Sequence, residues 1–150
     1  MSKIIGTTLR KSTGRILFDT NVLLDALLNR TPYARNATDL IAFVELRLLI
    51  GLISPTSVTT CYYFVRKKYP PDVALSAVRR LCTVFEVAPI QKAVLDRALD
   101  LPFTDFEDAV IHEAARNAVA DAIVTRDLGG FTAATIRIVS PTELLSILNR

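Results

Sequence analysis

The chain has a single histidine, two cysteines and five glycines in 150 residues, and each scarcity removes a class of protein. Cys61 and Cys82 are too isolated to form a disulfide framework and lack the paired spacing of a zinc site. Both sit inside apolar periodic segments, which predicts two buried free thiols. Such sparing use of cysteine fits a reducing, cytoplasmic compartment. Five glycines and seven prolines are too few for a low-complexity or all-turn chain. The richest apolar run, residues 48–53, falls far short of the ~20 residues that a spanning helix needs, so no membrane role is expected. No apolar segment precedes Arg15, so residues 1–14 do not read as a signal peptide. They are expected to form a flexible tail with some strand character at residues 3–6, ahead of one domain over residues 15–150.

What is present points to a folded domain with a large core, since hydrophobic residues make up 51% of the chain. Lys and Arg outnumber Asp and Glu by 18 to 15. The resulting basic character suits a nucleic-acid partner without demanding one.

The polar trio Asp19, Thr20 and Asn21 follows the short apolar run Ile16, Leu17 and Phe18, which has the pattern of a strand buried on both faces. Val22, Leu23, Ala26, Leu27 and Leu28 then recur at helical spacing, so the trio lies where a strand hands over to a helix. In an open α/β sheet this is where ligands bind. The plainer reading is that Asp19 or Thr20 caps the helix and Asn21 makes a local turn.

Further along, Thr31 and Pro32 read as N-cap and first residue of a helix running through Ile41, Val44 and Leu48 toward Gly51. Leu52 and Ile53 form a second strand. Ser54 and Pro55 open a helix that carries Val58, Cys61, Tyr62 and Val65 and closes on Arg66, Lys67 and Lys68. Residues 73–82 read as a helix, 84–90 as a strand and 91–99 as a helix. Thr104 and Glu107 form a capping box for a helix with Ala109, Val110, Ala114 and Ala118. Residues 122–124 and 136–139 are strands, with a loop at Leu128, Gly129 and Gly130 between them. Ser140 and Glu143 cap the last helix. Strands separated by helices predict a mostly parallel sheet with helices on both faces.

Three carboxylates then fall at sensible places. Asp19 ends the first strand, Asp127 follows the fourth, and Asp108 lies in the first turn of the helix leading into it. If the first and fourth strands are neighbours, the three meet at one sheet edge. Converging carboxylates raise one another's pKa unless a cation sits between them. Oxygen-rich sites suit Mg²⁺ or Mn²⁺, and such an ion can activate water against a phosphodiester. Asp105 shares a helix side with Asp108 and reads as a rim carboxylate. Glu107 reads as a complement to the helix dipole, Asp121 as a turn residue, and Asp25 as facing either the site or solvent. His112 lies four residues after Asp108. It is a conceivable general base, but an isolated helical histidine is more commonly a partly buried structural residue. Arg66, Lys67 and Lys68, with Arg79, Arg80 and Arg126, are candidates to contact a phosphate backbone; solvated helix ends explain the basic runs nearly as well.

Three blocks in this order resemble a PIN domain, with VapC-type toxins as the nearest likeness. They are Phe18-Asp19-Thr20-Asn21-Val22-Leu23-Leu24-Asp25, Asp105-Phe106-Glu107-Asp108-Ala109-Val110 and Ile123-Val124-Thr125-Arg126-Asp127, and the likeness covers residues 15–148. It implies a three-layer α/β fold with a central parallel five-stranded sheet of order 3-2-1-4-5. It also implies Mg²⁺- or Mn²⁺-dependent cleavage of RNA, an antitoxin partner and homodimers. Asp19, Asp108 and Asp127 match the family's metal-binding, catalytic acids. Asn21 and Thr125 match polar residues that orient them. Two positions depart from the pattern. Thr60 stands where the family has a Glu, and a hydroxyl cannot supply that charge; Asp105 or Asp25 are candidates to compensate. Gly129-Gly130-Phe131 lacks an Asp found before the Phe in relatives.

The reading is therefore a metal-dependent ribonuclease, the toxin half of a toxin–antitoxin pair. The alternative is a catalytically weak or inactive PIN-fold module that binds RNA or a partner protein. An aspartyl-phosphate phosphatase would need a second Asp where Asn21 stands. A receiver domain would need an acidic pair and a late strand-end Lys, neither of which is evident.

Overall fold

The computed structural model describes residues 14–150; the expected tail and the strand character at residues 3–6 fall on residues 1–13, outside the described part. Five strands of the described residues form one sheet: β1 (Arg15–Phe18), β2 (Ile50–Ile53), β3 (Glu86–Val87), β4 (Ala122–Val124) and β5 (Arg137–Val139). Their order is β3-β2-β1-β4-β5 and every pairing is parallel, as the resemblance implied. Among the described residues seven helices cover the sheet: α1 (Thr20–Leu27), α2 (Ala34–Glu45), α3 (Pro55–Arg66), α4 (Pro71–Val84), α5 (Lys92–Leu99), α6 (Phe106–Asn117) and α7 (Pro141–Leu148).

Side chains on a strand alternate between faces, and the two cores divide accordingly. Ile16, Phe18, Ala122 and Val124 pack with Val22, Leu23, Leu40, Cys61, Leu81 and Leu144 on the α1, α2, α3, α4 and α7 side. Leu17 and Ile123 pack with Val94, Ile111 and Ala114 on the α5 and α6 side. Each fully buried large apolar side chain contributes roughly 1.5–3 kcal/mol, so β1 and β4, buried on both faces, anchor the sheet. Gly51 on β2 lets Phe85 lie against the backbone, where a Cβ would come within 2.6 Å of its ring. Phe85 in turn meets Phe18 edge-on at 5.0 Å.

Several local expectations are corrected. The 31–33 segment is a turn with a cis Thr31-Pro32 peptide, and α2 begins only at Ala34, with no side-chain cap at Tyr33. The expected strand over residues 84–90 shrinks to Glu86–Val87, because α4 continues to Val84. Cys61 is buried as expected, but Cys82 is exposed; the buried residue at that end of α4 is its neighbour Leu81. The cap of α6 is Asp105 rather than Thr104, with its carboxylate accepting the Asp108 N–H at 3.0 Å. Ser54 and Ser140 do cap α3 and α7, each with proline following.

Candidate active site

Parallel pairing of β1 with β4 sets Phe18 beside Val124, so the residues that follow both strands emerge together at one edge. The Asp19 N–H donates to the Val124 carbonyl at 3.0 Å, extending the ladder to the first acid. Asp19 also caps α1 by accepting the Thr20 N–H at 2.8 Å. The capping reading and the site reading thus describe two oxygens of one carboxylate. The second oxygen accepts the Thr125 hydroxyl at 2.8 Å and the Asn21 amide at 3.3 Å. The same amide nitrogen lies 3.3 Å from Thr125 Oγ1, and the Asn21 side-chain oxygen accepts the Arg126 N–H at 3.3 Å. Thr125 Oγ1 accepts the Asp127 N–H at 3.0 Å. Asn21 and Thr125 therefore tie the end of β1 to the end of β4 and fix where Asp19 and Asp127 stand.

Asp108 reaches the edge from the first turn of α6. A Cβ built on Gly130 would lie 2.6 Å from Asp127 Oδ2 and 2.8 Å from Asp108 Oδ2, so these two carboxylates converge on one glycine. The backbone there is held by the Gly130 N–H donating to Asp127 Oδ1 at 3.1 Å, within a 3-10 turn over Leu128–Phe131 where a loop was expected. Gly130→Ala should push both carboxylates aside. The Cβ would meet the movable ends of side chains rather than packed backbone, so stability should hardly change. We expect metal affinity to fall by about tenfold, roughly 1.4 kcal/mol, while the urea midpoint stays within error; calorimetric titration with Mn²⁺ beside urea denaturation checks both.

The electrostatics agree with the geometry. Asp108 has its carboxyl pushed up to about 7, first by burial and then by the negative charges of Asp19, Asp105, Asp127 and Glu107. Burial also raises Asp19, against the lowering effect of its hydrogen bonds from Thr125 and the Thr20 backbone, with Asp127 and Asp105 adding repulsion. Glu107 is raised by burial, Asp105 and Asp19, so it belongs to the acidic field and does more than complement the helix dipole. Carboxylates held in mutual repulsion are a place for a cation. Among the described residues, no three His, Cys, Asp or Glu side chains are gathered tightly enough to hold an ion unaided. A converging pair still suits Mg²⁺, which is commonly held by one or two carboxylates with the remaining positions left to water and substrate phosphate. The donor set fits.

Other candidates lie elsewhere. His112 is fully buried. Its Nε2 accepts the Thr135 N–H at 3.0 Å, so Nδ1 carries the proton and donates to Glu113 at 2.8 Å. Its ring packs near Phe103 at 5.2 Å, the structural role of the two considered. Asp121 accepts the Arg15 N–H at 2.8 Å, as a turn residue would. Arg66, Lys67 and Lys68 stand at the far end of α3 from the acids, about 16 Å along the helix axis; the structure does not bring them to the site. Arg80 pairs with Glu45. Thr60 lies one helical turn beyond Ser57, whose hydroxyl is 2.7 Å from that of Thr20 beside Asp19. Asp25 faces neither solvent nor the acids. It is buried and bound through both oxygens by Arg126 Nε and Nη2, at 2.5 and 3.1 Å. The Arg126 guanidinium also lies 3.9 Å over the Tyr33 ring. Nothing in the sequence marked the Ser57–Thr20 contact, the Gly130 cradle or the Asp25–Arg126 pair.

Comparison with known proteins identifies the family and the fold. A family model for the PIN domain matches residues 15–129. The chain is 25% identical over 118 residues to ribonuclease VapC1 of Aquifex aeolicus, covering 75% of this chain and 81% of that one. It shares its fold with DNA-bound VapBC from Salmonella typhimurium, at a TM-score of 0.66 and 18% identity over 86% of this chain and 99% of that one. It also shares it with a toxin-antitoxin complex from Klebsiella pneumoniae, at 0.64 and 20% over 84% and 97%. An edge built from the ends of β1 and β4 and the start of α6, inside a matched span that takes in all three acids, places this chain in the PIN domain family.

Proposed function

We propose that residues 15–150 form a single PIN-like domain that hydrolyses RNA with the help of Mg²⁺ or Mn²⁺, as the toxin of a toxin–antitoxin pair. The observation that carries this reading is the convergence of Asp108 and Asp127 on Gly130, with Asp19 close enough to repel Asp108. Asp108 and Asp127 would hold the ion from either side of Gly130, and Asp19 would do so from the end of β1. A bound divalent ion supplies positive charge for the phosphodiester and lowers the pKa of a water for attack on phosphorus. Asn21 and Thr125 orient Asp19 and the Asp127 backbone, so the acids do not have to reorganise on binding. Asp105 stays at the rim, capping α6 while adding negative charge.

Support for the substrate and partners comes from the relatives: one is named a ribonuclease, and one neighbour in fold is a toxin–antitoxin complex. Homodimerisation and a cytoplasmic site of action belong to the same reading. Among the described residues no helix is long and apolar enough to cross a membrane.

The direct test is cleavage of labelled RNA by the purified protein. Cutting in Mn²⁺ or Mg²⁺ that disappears in EDTA is the expected result. Absence of cutting in either metal would overturn it. Thr60 favours a second reading, a module that binds RNA or a partner without cutting, because the site then lacks one acid. Absence of cutting together with no heat of metal binding would select it.

A further inference from the structure

A cavity of about 200 Å³ is lined by Tyr33, Asn36, Arg126, Ser140, Pro141 and Thr142. Several of its polar groups still have protons to donate. Arg126 uses Nε and Nη2 on Asp25, which leaves the two N–H groups of Nη1 without an acceptor among the described residues. Ser140 Oγ accepts the Glu143 N–H at 3.1 Å, and Thr142 Oγ1 accepts the Asn36 amide at 3.3 Å. A hydroxyl engaged as an acceptor still has its own proton to give. The cavity thus presents a guanidinium edge and two hydroxyls, and no carboxylate lines it. That lining selects an anion.

Its position says which anion. Arg126 immediately precedes Asp127 and its guanidinium feels the charge of Asp19, so the cavity lies on the flank of the acidic cluster. It lies on the α2 and α7 side of the sheet, whereas Asp108 approaches from the α6 side. A strand crossing the edge with one phosphodiester at the acids would bring a neighbouring phosphate to this side. The acidic field repels that phosphate, and Arg126 is the cation placed to hold it. We propose that Arg126, Ser140 and Thr142 form a pocket for the phosphate adjacent to the scissile one, which fixes the direction in which single-stranded RNA lies across the site. This rests on the ribonuclease reading above.

Thr142 is exposed in the first turn of α7, so its replacement leaves the core intact. The test is binding of a labelled single-stranded RNA decamer by fluorescence anisotropy in EDTA, over a salt series. Thr142→Glu should weaken binding about tenfold and make the slope of log affinity against log salt shallower by about one phosphate contact. Thr142→Lys should bind at least as tightly as the wild type. Thr83→Glu makes a like charge change at the opposite end of the sheet and should leave binding unchanged. Equal affinity and slope for the wild type and both Thr142 variants, or an equal loss in Thr83→Glu, would overturn the pocket, as would absence of RNA binding by the wild type. Cleavage in Mn²⁺ is scored separately. A wild type that binds but does not cut defeats the ribonuclease reading, while a selective Thr142→Glu binding defect would still establish an RNA-phosphate pocket at Arg126, without a scissile neighbour.

Discussion

Asp108→Asn is expected to reduce RNA cleavage about a thousandfold, roughly 4 kcal/mol of transition-state stabilisation, and at the same time to raise the melting temperature of the metal-free protein near neutral pH. The two effects have one cause. The Asp108 carboxyl is pushed up to about 7 by burial and four acidic neighbours. Between its unfolded value near 4 and its folded value, the native state binds the extra proton. Stability contributed by this group is therefore present at low pH, falls as pH rises through that window, and stays lower above it. An amide keeps the shape and removes the charge, so the variant escapes that loss. Asp19 and Glu107 are shifted in the same direction, which reinforces the trend. On the proposed function Mn²⁺ should reverse the ranking, since a ligand that binds only the folded state stabilises it and Asp108 is one of the proposed holders. Thermal melts at pH 5 and pH 8, with and without Mn²⁺, check each part. A variant no more stable than the wild type in EDTA at pH 8 would show that Asp108 is not under repulsion.

Arg126→Ala is expected to destabilise the protein by about 3 kcal/mol, measured by urea denaturation. Asp25 is only 1% exposed, and Arg126 bonds both of its oxygens. Removing the guanidinium leaves a buried charge with Arg30 as its remaining cation, at 3.9 Å. Breaking a buried pair from one side typically costs 3–5 kcal/mol, far more than the pair itself contributes. It follows that Asp25→Asn, added to Arg126→Ala, should recover part of the loss, because an amide can stay buried without charge. No recovery would mean that the loss comes from the Tyr33 stacking contact instead. The arginine expected from the sequence to touch RNA is therefore also a brace of the fold. For this reason the phosphate pocket is better probed at Thr142 than at Arg126.

The strand-end acids were legible because their signals are local: an apolar run that stops at Asp19, and another that stops just short of Asp127. The sheet order followed from the resemblance alone, since the alternation of strands and helices predicts only a mostly parallel sheet. Boundaries were less legible where two residues competed for one role. Thr104 and Asp105 both make good caps, and the helix starts one residue later than the capping box suggested because Asp105 takes the Asp108 N–H. Cys82 looked buried by periodicity, yet α4 turns Leu81 inward. The pairing of Asp25 with Arg126 could not be read, since nothing local links residues 101 positions apart. Nor could the role of Gly130, which depends on where two other side chains end. Thr60 was visible as a departure, and the structure places it near the Ser57–Thr20 contact without giving it a charge.

The hydroxyl of Thr125 donates to an acid 106 positions earlier in the chain, and this span has a consequence during synthesis. Asp127 comes from a segment made more than a hundred residues after Asp19. Until that segment has been added and β4 has docked beside β1, a growing polypeptide on the ribosome holds Asp19 and Asp108 at most. Its orienting Thr125 and the Gly130 cradle do not yet exist. Long-range pairing of this kind is slow to form compared with local helices, so any cutting activity would arrive late and all at once.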